Sequence, residues 1–227
     1  MNDQLPPRAV IFDLDGVLVE SESLKAKAHS AAVGKLGGQA PASYYSEVMG
    51  ASHEFVCAAF IREGNLPVEP ERYSSLYHGI YERMLEELEV TAGARELVVA
   101  LRDRRYRLGV ATSSQPWMVD RILRQTGLGE HFQAVITAAD VERHKPAPDA
   151  YHQALAGLGV TALTAAVIED SQAGVTAAVA AGIPTLARRH EMNLRHDLTK
   201  AELVLDSFRQ AEQIVRRIDE IISRSGA

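Results

Sequence analysis

Asp13 and Asp15, one residue apart and followed at once by Gly16, are the first residues of this 227-residue chain that could do chemistry together. They end the apolar run Val10-Ile11-Phe12, which reads as a buried strand stopped by the acids and the glycine. In an extended chain, residues two apart point to the same side, so both carboxylates can reach one site. Two unit charges about 4 Å apart interact by roughly 4 kcal/mol at an effective dielectric of ~20. A divalent cation removes that cost. Hard oxygen donors suit Mg²⁺, which keeps several waters and shares its shell with substrate phosphate. A strand running into an acidic turn is the alternative, and Asp-x-Asp-Gly alone does not choose between them.

Three further polar groups each follow an apolar run. In Thr112-Ser113-Ser114-Gln115-Pro116, small hydroxyl residues precede a helix opened by proline. Free N–H groups and a hydroxyl there make an anion site, or else merely cap the helix. In Lys145-Pro146-Ala147-Pro148-Asp149, two prolines keep the lysine out of the following helix, so that it can be aimed at a phosphate and a carboxylate together. A surface lysine is the plainer reading. Glu169-Asp170, before Ser171-Gln172-Ala173-Gly174, could complete a magnesium shell or simply favour a helix N-terminus. All four groups fall at the carboxyl ends of predicted strands, where one crevice of a parallel sheet can collect them.

The elements that must position them alternate. Strands are predicted at 108–112, 134–137, 165–168, 183–187 and 203–205. Helices are predicted at 96–104, 116–126, 148–158 and 172–181, with an amphipathic C-terminal helix carrying Ile214, Ile218, Ile221 and Ile222. This alternation indicates right-handed βαβ units and a parallel sheet. Between about 22 and 90 the pattern is almost wholly helical, with helices expected near 22–36, 43–49, 53–63 and 70–88. In the last of these Tyr73, Leu76, Tyr77, Ile80, Met84 and Leu88 form the apolar stripe. The expected architecture is α/β. A Rossmann-like parallel-sheet core (1–21 and 91–227) carries an inserted all-helical cap domain (22–90), with Gly16 and Gly93 as hinges.

Composition narrows the class. The chain is 46% hydrophobic and 24% charged with a net charge of −6, which argues against a bulk nucleic-acid or anionic-membrane binder. An anionic substrate must therefore meet local cations or a metal. The single cysteine, Cys57, allows neither an internal disulfide nor a cysteine-built metal site and is expected to pack. No apolar run reaches membrane-spanning length and no secretory leader is recognisable. The expectation is a cytoplasmic protein, a monomer or small homo-oligomer.

Taken together, Asp13-Leu14-Asp15-Gly16, Thr112, Lys145-Pro146-Ala147-Pro148-Asp149 and Glu169-Asp170-Ser171-Gln172-Ala173-Gly174 resemble the four motifs of the haloacid dehalogenase superfamily of hydrolases. The match spans nearly the whole chain and is nearest the β-phosphoglucomutase-like, sugar-phosphatase branch with a helical cap. The resemblance implies a Mg²⁺-dependent phosphatase acting on a small-molecule phosphate ester of the sugar-phosphate class. Asp13 would be nucleophile and metal ligand, forming an aspartyl-phosphate. Asp15 would be general acid/base, its backbone carbonyl touching the metal. Leu14, Thr112 and Ser113 would join Asp13, Asp15 and Lys145 around the phosphate, and Asp170, with Glu169 directly or through water, would complete the metal shell. The carboxylate at Asp15 sets the chain apart from the superfamily's dehalogenases and phosphonatases.

In the cap, Ser21, Lys25, Gly50, Ala51, Ser52 and His53 are the expected substrate contacts. Lys25 stands where the mutases carry a hinge-side histidine, and Met49-Gly50-Ala51-Ser52-His53 lacks the two cations of the mutase cap loop. Hydrolysis is therefore expected over a phosphohexose mutase, with a non-catalytic phosphometabolite sensor as the other alternative. Arg188-Arg189-His190 is expected as a solvated loop rather than a holder of an anionic leaving group.

Overall fold

The computed structural model describes residues 6–225. Six strands, β1 (Ala9–Phe12), β2 (Arg107–Ala111), β3 (Ala134–Ile136), β4 (Ala165–Glu169), β5 (Thr185–Arg188) and β6 (Leu203–Leu205), form one parallel sheet in the order β3-β2-β1-β4-β5-β6. The chain builds outward from β1 through β2 to β3, then returns to lay β4 on the other side of β1. A crevice opens at the carboxyl ends of strands where the order reverses in this way. Phe12 lies level with Val110 and with Ile168, so Asp13 follows level with Ala111 and Glu169, and Thr112 comes one residue further on.

β1 is buried on both faces, and alternate residues serve different cores. Val10 and Phe12 pack with Leu97, Val98, Ile214 and Ile218 of helices α5 (Ala94–Asp103) and α9 (Ala211–Ser225). Ala9 and Ile11 pack with Tyr151, Ala154 and Ala177 of α7 (Asp149–Leu158) and α8 (Gln172–Ala180). Helix α6 (Pro116–Thr126) begins with its proline in the first turn, where the missing N–H has no intrahelical role.

Four helices, α1 (Glu22–Lys35), α2 (Tyr45–Val48), α3 (His53–Glu63) and α4 (Pro70–Met84), lie between β1 and α5. The segments that lead into and out of them run side by side. Glu20 N–H donates to Glu89, Thr91 N–H donates to Leu18, and Val19 bridges Val90. At the centre of the four helices, buried His29 stacks on Tyr77 at 3.9 Å and Phe60 at 4.6 Å, and its Nδ1 lies 3.0 Å from the Tyr73 hydroxyl. The expected 70–88 helix ends at Met84 and tightens into a 3₁₀ turn over Leu85–Glu87. This brings Tyr81 and Leu85 into the core while Leu76, Met84 and Leu88 stay at its margin.

The glycines expected as hinges have a steric reason of their own. A Cβ on Gly93 would overlap the Phe208 backbone, and one on Gly16 would overlap the Asp170 carboxylate, both at positive φ. Cys57 is buried and its thiol is pushed up to about 12, first by burial. No helix among the described residues is long and apolar enough to cross a membrane.

Candidate active site

Asp13 leaves β1 at the sheet's carboxyl edge, its N–H donating to Ile168 of β4. Lys145 reaches it from the turn before α7: Nζ donates to Asp13 Oδ1 at 2.6 Å, to Glu169 Oε1 at 2.6 Å and to the Ala111 carbonyl at 2.9 Å. The lysine expected to be aimed by its two prolines is buried, with every ammonium proton directed. Opposite charges on Asp13 and Glu169 outweigh its burial and hold it well above the usual lysine value.

Glu169, expected beside the metal directly or through water, is surrounded by protein donors. It is fully buried, and both oxygens are taken. Oε1 accepts from Lys145 and, at 2.8 Å, from the Tyr151 hydroxyl; Oε2 accepts from the Asp170 and Ser171 N–H groups and the Ser171 hydroxyl. With both oxygens engaged in this way, it positions Lys145. Gly174 exists for this carboxylate, because a Cβ there would overlap it. Gly174→Ala should therefore push Glu169 off Lys145 and cost about 3 kcal/mol or more, the scale of breaking a buried ion pair. Chemical denaturation measures this, and a loss under about 1 kcal/mol would contradict the packing.

Asp15 sits among donors. Oδ1 accepts from the Ser21 hydroxyl at 2.5 Å. Oδ2 accepts from Ser114 at 2.6 Å, from Lys25 Nζ at 2.8 Å and from Thr112 at 3.4 Å. Burial would raise its pKa, but the Lys25 charge and these hydrogen bonds prevail and hold the carboxyl below its usual value. Both oxygens of its side chain thus already accept hydrogen bonds from the protein. Lys25 thus turns toward the site, as considered from sequence, while Ser21, expected to contact substrate, lies beneath Asp15 with no exposure. Ser114 and Tyr151 are the partners that the motifs did not reveal. The side chain of Leu14 is buried in the core, leaving its backbone alone for the site.

Asp170 faces the pocket from the end of β4. His190 Nε2 lies 2.8 Å from its Oδ2, and His190 Nδ1 accepts the Met192 N–H, so Nε2 carries the proton and donates. Burial, then the charges of Glu22 and Glu169, raise Asp170 well above the usual carboxyl value. The expected solvated loop at 188–190 is ordered by these contacts. Arg188 is buried, and its guanidinium binds Glu20 and the Gly16 carbonyl, which ties β5 to the turn after Asp15.

One pocket gathers Asp13, Asp15, Thr112, Ser113, Lys145 and Asp170 from the sheet side. From the helical side it takes Glu22, Lys25, Gly50, Ala51 and His53, with Tyr45 and Tyr77 behind them. Ser52 is not among its walls. It caps α3, its hydroxyl accepting the Phe55 N–H. Gly50, at φ +83°, lets the loop before α3 close on Ser171, whose side chain a Cβ would strike. His53 is held by Ser74 at 2.8 Å and pushed down to about 4, by burial first and then by His78. Glu22 and the aromatic wall were missed from sequence because their helix periodicity reads as ordinary packing.

Five buried carboxylates, Asp13, Asp15, Glu22, Glu169 and Asp170, thus face two lysines, Lys25 and Lys145. That excess of negative charge, on hard oxygens, fits a divalent cation. Among the described residues no three such side chains converge as a ready-made cage. Mg²⁺ does not need one, because it is commonly held by one or two carboxylates with water and substrate phosphate.

Over its whole length the chain is similar to known proteins. It shares 26% identity over 219 residues with the phosphorylated carbohydrates phosphatase of Thermotoga maritima, covering 94% of this chain and 99% of that protein. It shares 28% over 174 residues with the fructose-1-phosphate phosphatase YqaB of Escherichia coli, covering 77% and 92%. Its fold superimposes on β-phosphoglucomutase from Clostridium difficile with a TM-score of 0.82 at 23% identity, covering 96% and 99%. Residues 10–188 match the haloacid dehalogenase-like hydrolase family, and they contain Asp13, Thr112, Lys145 and Asp170 in the order and place described above. The chain belongs to that family of enzymes.

Proposed function

We propose that this enzyme is a Mg²⁺-dependent phosphomonoesterase that hydrolyses a small phosphorylated metabolite of the sugar-phosphate class through an aspartyl-phosphate on Asp13. The convergence of Asp13, Lys145 and Asp170 on one pocket carries this reading. The names of the two phosphatase relatives support the substrate class. In the first half-reaction the Asp13 carboxylate attacks phosphorus, the ester P–O bond breaks, and Asp15 gives its proton to the leaving oxygen. In the second, Asp15 takes a proton from water as that water attacks phosphorus and releases Asp13. Mg²⁺, held by Asp13, Asp170 and the Asp15 carbonyl, would neutralise charge on the phosphoryl oxygens. Lys145 offsets the repulsion between nucleophile and phosphate. Asp15 paired with Lys25 is the ionised form that serves the second half-reaction; the first requires the two to part as the ester binds.

Residues 22–90 act in this reading as a cap that closes over the ester, hinged where the 18–20 and 89–91 segments run together, on a core of 1–21 and 91–227. The cap side of the pocket supplies only one cation, Lys25, and Asp15 and Glu22 already engage it. That supports hydrolysis over a mutase, which must hold a second phosphate. Turnover of p-nitrophenyl phosphate in the presence of Mg²⁺ is the decisive assay. Tight binding of phosphorylated ligands without turnover would instead make the protein a sensor.

Metal binding has a second readout. Asp13 is raised well above the usual value by burial, which Lys145 offsets in part, and further by Glu169, Asp170 and Asp15. Asp170 is raised as well. A carboxyl whose pKa rises on folding binds its proton better in the folded state, so the metal-free protein loses stability as pH climbs from the ordinary carboxyl value through the raised one. Asp15 and Glu169, both lowered, lose their contribution only below that window. Measured at about pH 5.5 and about pH 8, the metal-free Tm should be lower at the higher pH relative to Asp13→Asn, a comparison in which the lowered histidines, whose contribution has the opposite sign, cancel. Mg²⁺ at about 100 times its Kd should restore roughly 2.7 kcal/mol, chiefly at the higher pH. An equal shift at both pH values would remove these two carboxylates from the metal site.

A further inference from the structure

Glu22 has no part in the chemistry above, yet it forms part of the pocket wall. It is the first residue of α1 and is 6% exposed. Its Oε1 lies 3.4 Å from Lys25 Nζ, while Oε2 is buried with no well-aligned hydrogen-bond partner, the Tyr45 hydroxyl lying near enough only to help hold the carboxylate ionised. A buried carboxylate oxygen without a donor is costly, and a site that tolerates one expects the donor from elsewhere.

The surroundings limit what that donor can be. On the helical side of the pocket Glu22 is flanked by Tyr45, Met49, Val56 and Tyr77, with Met118 facing them from α6. Lys25, the cation beside it, is already shared between Glu22 and Asp15. A leaving group bearing a carboxylate or a second phosphate would meet Glu22 and no cation beyond the Lys25 that Glu22 and Asp15 already share. One bearing hydroxyls would bring the missing donor and lay its carbons on the aromatic wall.

We propose that Glu22 is a specificity-determining residue whose Oε2 accepts a hydrogen bond from a hydroxyl of the leaving group, so that the enzyme selects neutral polyol phosphates over acidic esters. This rests on the phosphomonoesterase reading and narrows its substrate class.

The test compares kcat/KM for three esters of one chain length, each phosphorylated on a terminal carbon: sorbitol phosphate, hexyl phosphate without hydroxyls, and phosphogluconate with a carboxylate. The intact enzyme should prefer sorbitol phosphate to each of the others by about 10- to 100-fold, the range for a hydrogen bond to a charged group. Glu22→Ala should bring both ratios to within about threefold, since the discriminating contact is gone. Glu22→Gln keeps an accepting oxygen and loses the charge. It should retain part of the preference over hexyl phosphate while losing that over phosphogluconate, and it carries the test if the alanine variant does not fold.

Equal losses on all three esters in both variants would make Glu22 merely structural and overturn the proposal. So would an intact enzyme that prefers phosphogluconate or shows no preference. Flat ratios with robust Mg²⁺-dependent turnover would sink this proposal alone. Absence of turnover on these esters and on p-nitrophenyl phosphate would sink the phosphomonoesterase reading, and this one with it.

Discussion

Asp13→Asn is expected to lower kcat on p-nitrophenyl phosphate by roughly four orders of magnitude or more, the scale for removing a nucleophile that acts in concert with its neighbours. The amide keeps the size of the carboxylate and can still accept from Lys145, but it cannot attack phosphorus. The same substitution should leave the metal-free protein as stable as before, or more so. The Asp13 charge is held in a fully buried site against three other carboxylates, which is why its pKa rises despite Lys145. Removing that charge relieves repulsion while Lys145 keeps Glu169 as its partner. Mg²⁺ should bind more weakly to the variant, and the rise in Tm on adding Mg²⁺ should shrink. Steady-state kinetics with thermal unfolding in both metal states separates these effects. Residual activity within about 100-fold of the parent would remove Asp13 as nucleophile.

Lys145→Met is expected to have the largest effect on stability together with loss of activity. Lys145 is the one cation within reach of both Asp13 and Glu169, each at 2.6 Å, and Glu169 has no exposed surface. A methionine fills the space without the charge, leaving Glu169 ionised and buried beside the Tyr151 hydroxyl and two N–H donors. Breaking one side of a buried pair costs about 3–5 kcal/mol. In a chain of this length that is a fall in Tm of roughly 6–20 °C. The loss should be smaller at low pH, where Glu169 and Asp13 take up protons, and larger at high pH. Adding Glu169→Gln should recover part of the stability and none of the turnover, because the glutamine can remain buried while the phosphate still lacks its cation. Urea denaturation of the single and double variants measures the coupling. A Tm within about 2 °C of the parent would mean that Lys145 does not neutralise Glu169 in solution.

Much of the fold could be read from periodicity. Helices 53–63 and 116–126 fall where the pattern puts them, and strand 203–205 likewise. In each helix, a proline, a glycine or a capping serine marks an end, so the boundary is written locally. The 70–88 helix was overextended because nothing in its composition signals the 3₁₀ turn at Leu85–Glu87. Packing of Leu85 into the core decides it. Strand β5 begins two residues later than expected, at Thr185, because Pro184 has no N–H for a ladder and Thr185 is the first residue paired with β4.

The chemistry-bearing residues were legible for the same local reason. An acid or lysine at the end of an apolar run, fenced by glycine or proline, has few roles, and four such groups in order point to one crevice. What a carboxylate faces is a different matter, because it depends on residues far away in the chain. Glu169 and Asp170 are neighbours in sequence, and nothing local distinguishes them. One turns beneath Lys145 into a shell of five donors, and the other turns to the pocket and His190. Ser21 and Ser52 look like equal candidates for substrate; one supports Asp15 and the other caps a helix.

The amino-acid pattern by itself determined the parallel sheet, the helical insertion after the first strand and the acids and lysine of the crevice, since strand ends, caps and breakers act over a few residues. Only the tertiary structure decided which carboxylates are exhausted, which keeps an oxygen free, and that Lys25 meets Asp15 across the two halves. Those outcomes depend on burial and on donors brought from distant segments, and desolvation is a property of the assembled site.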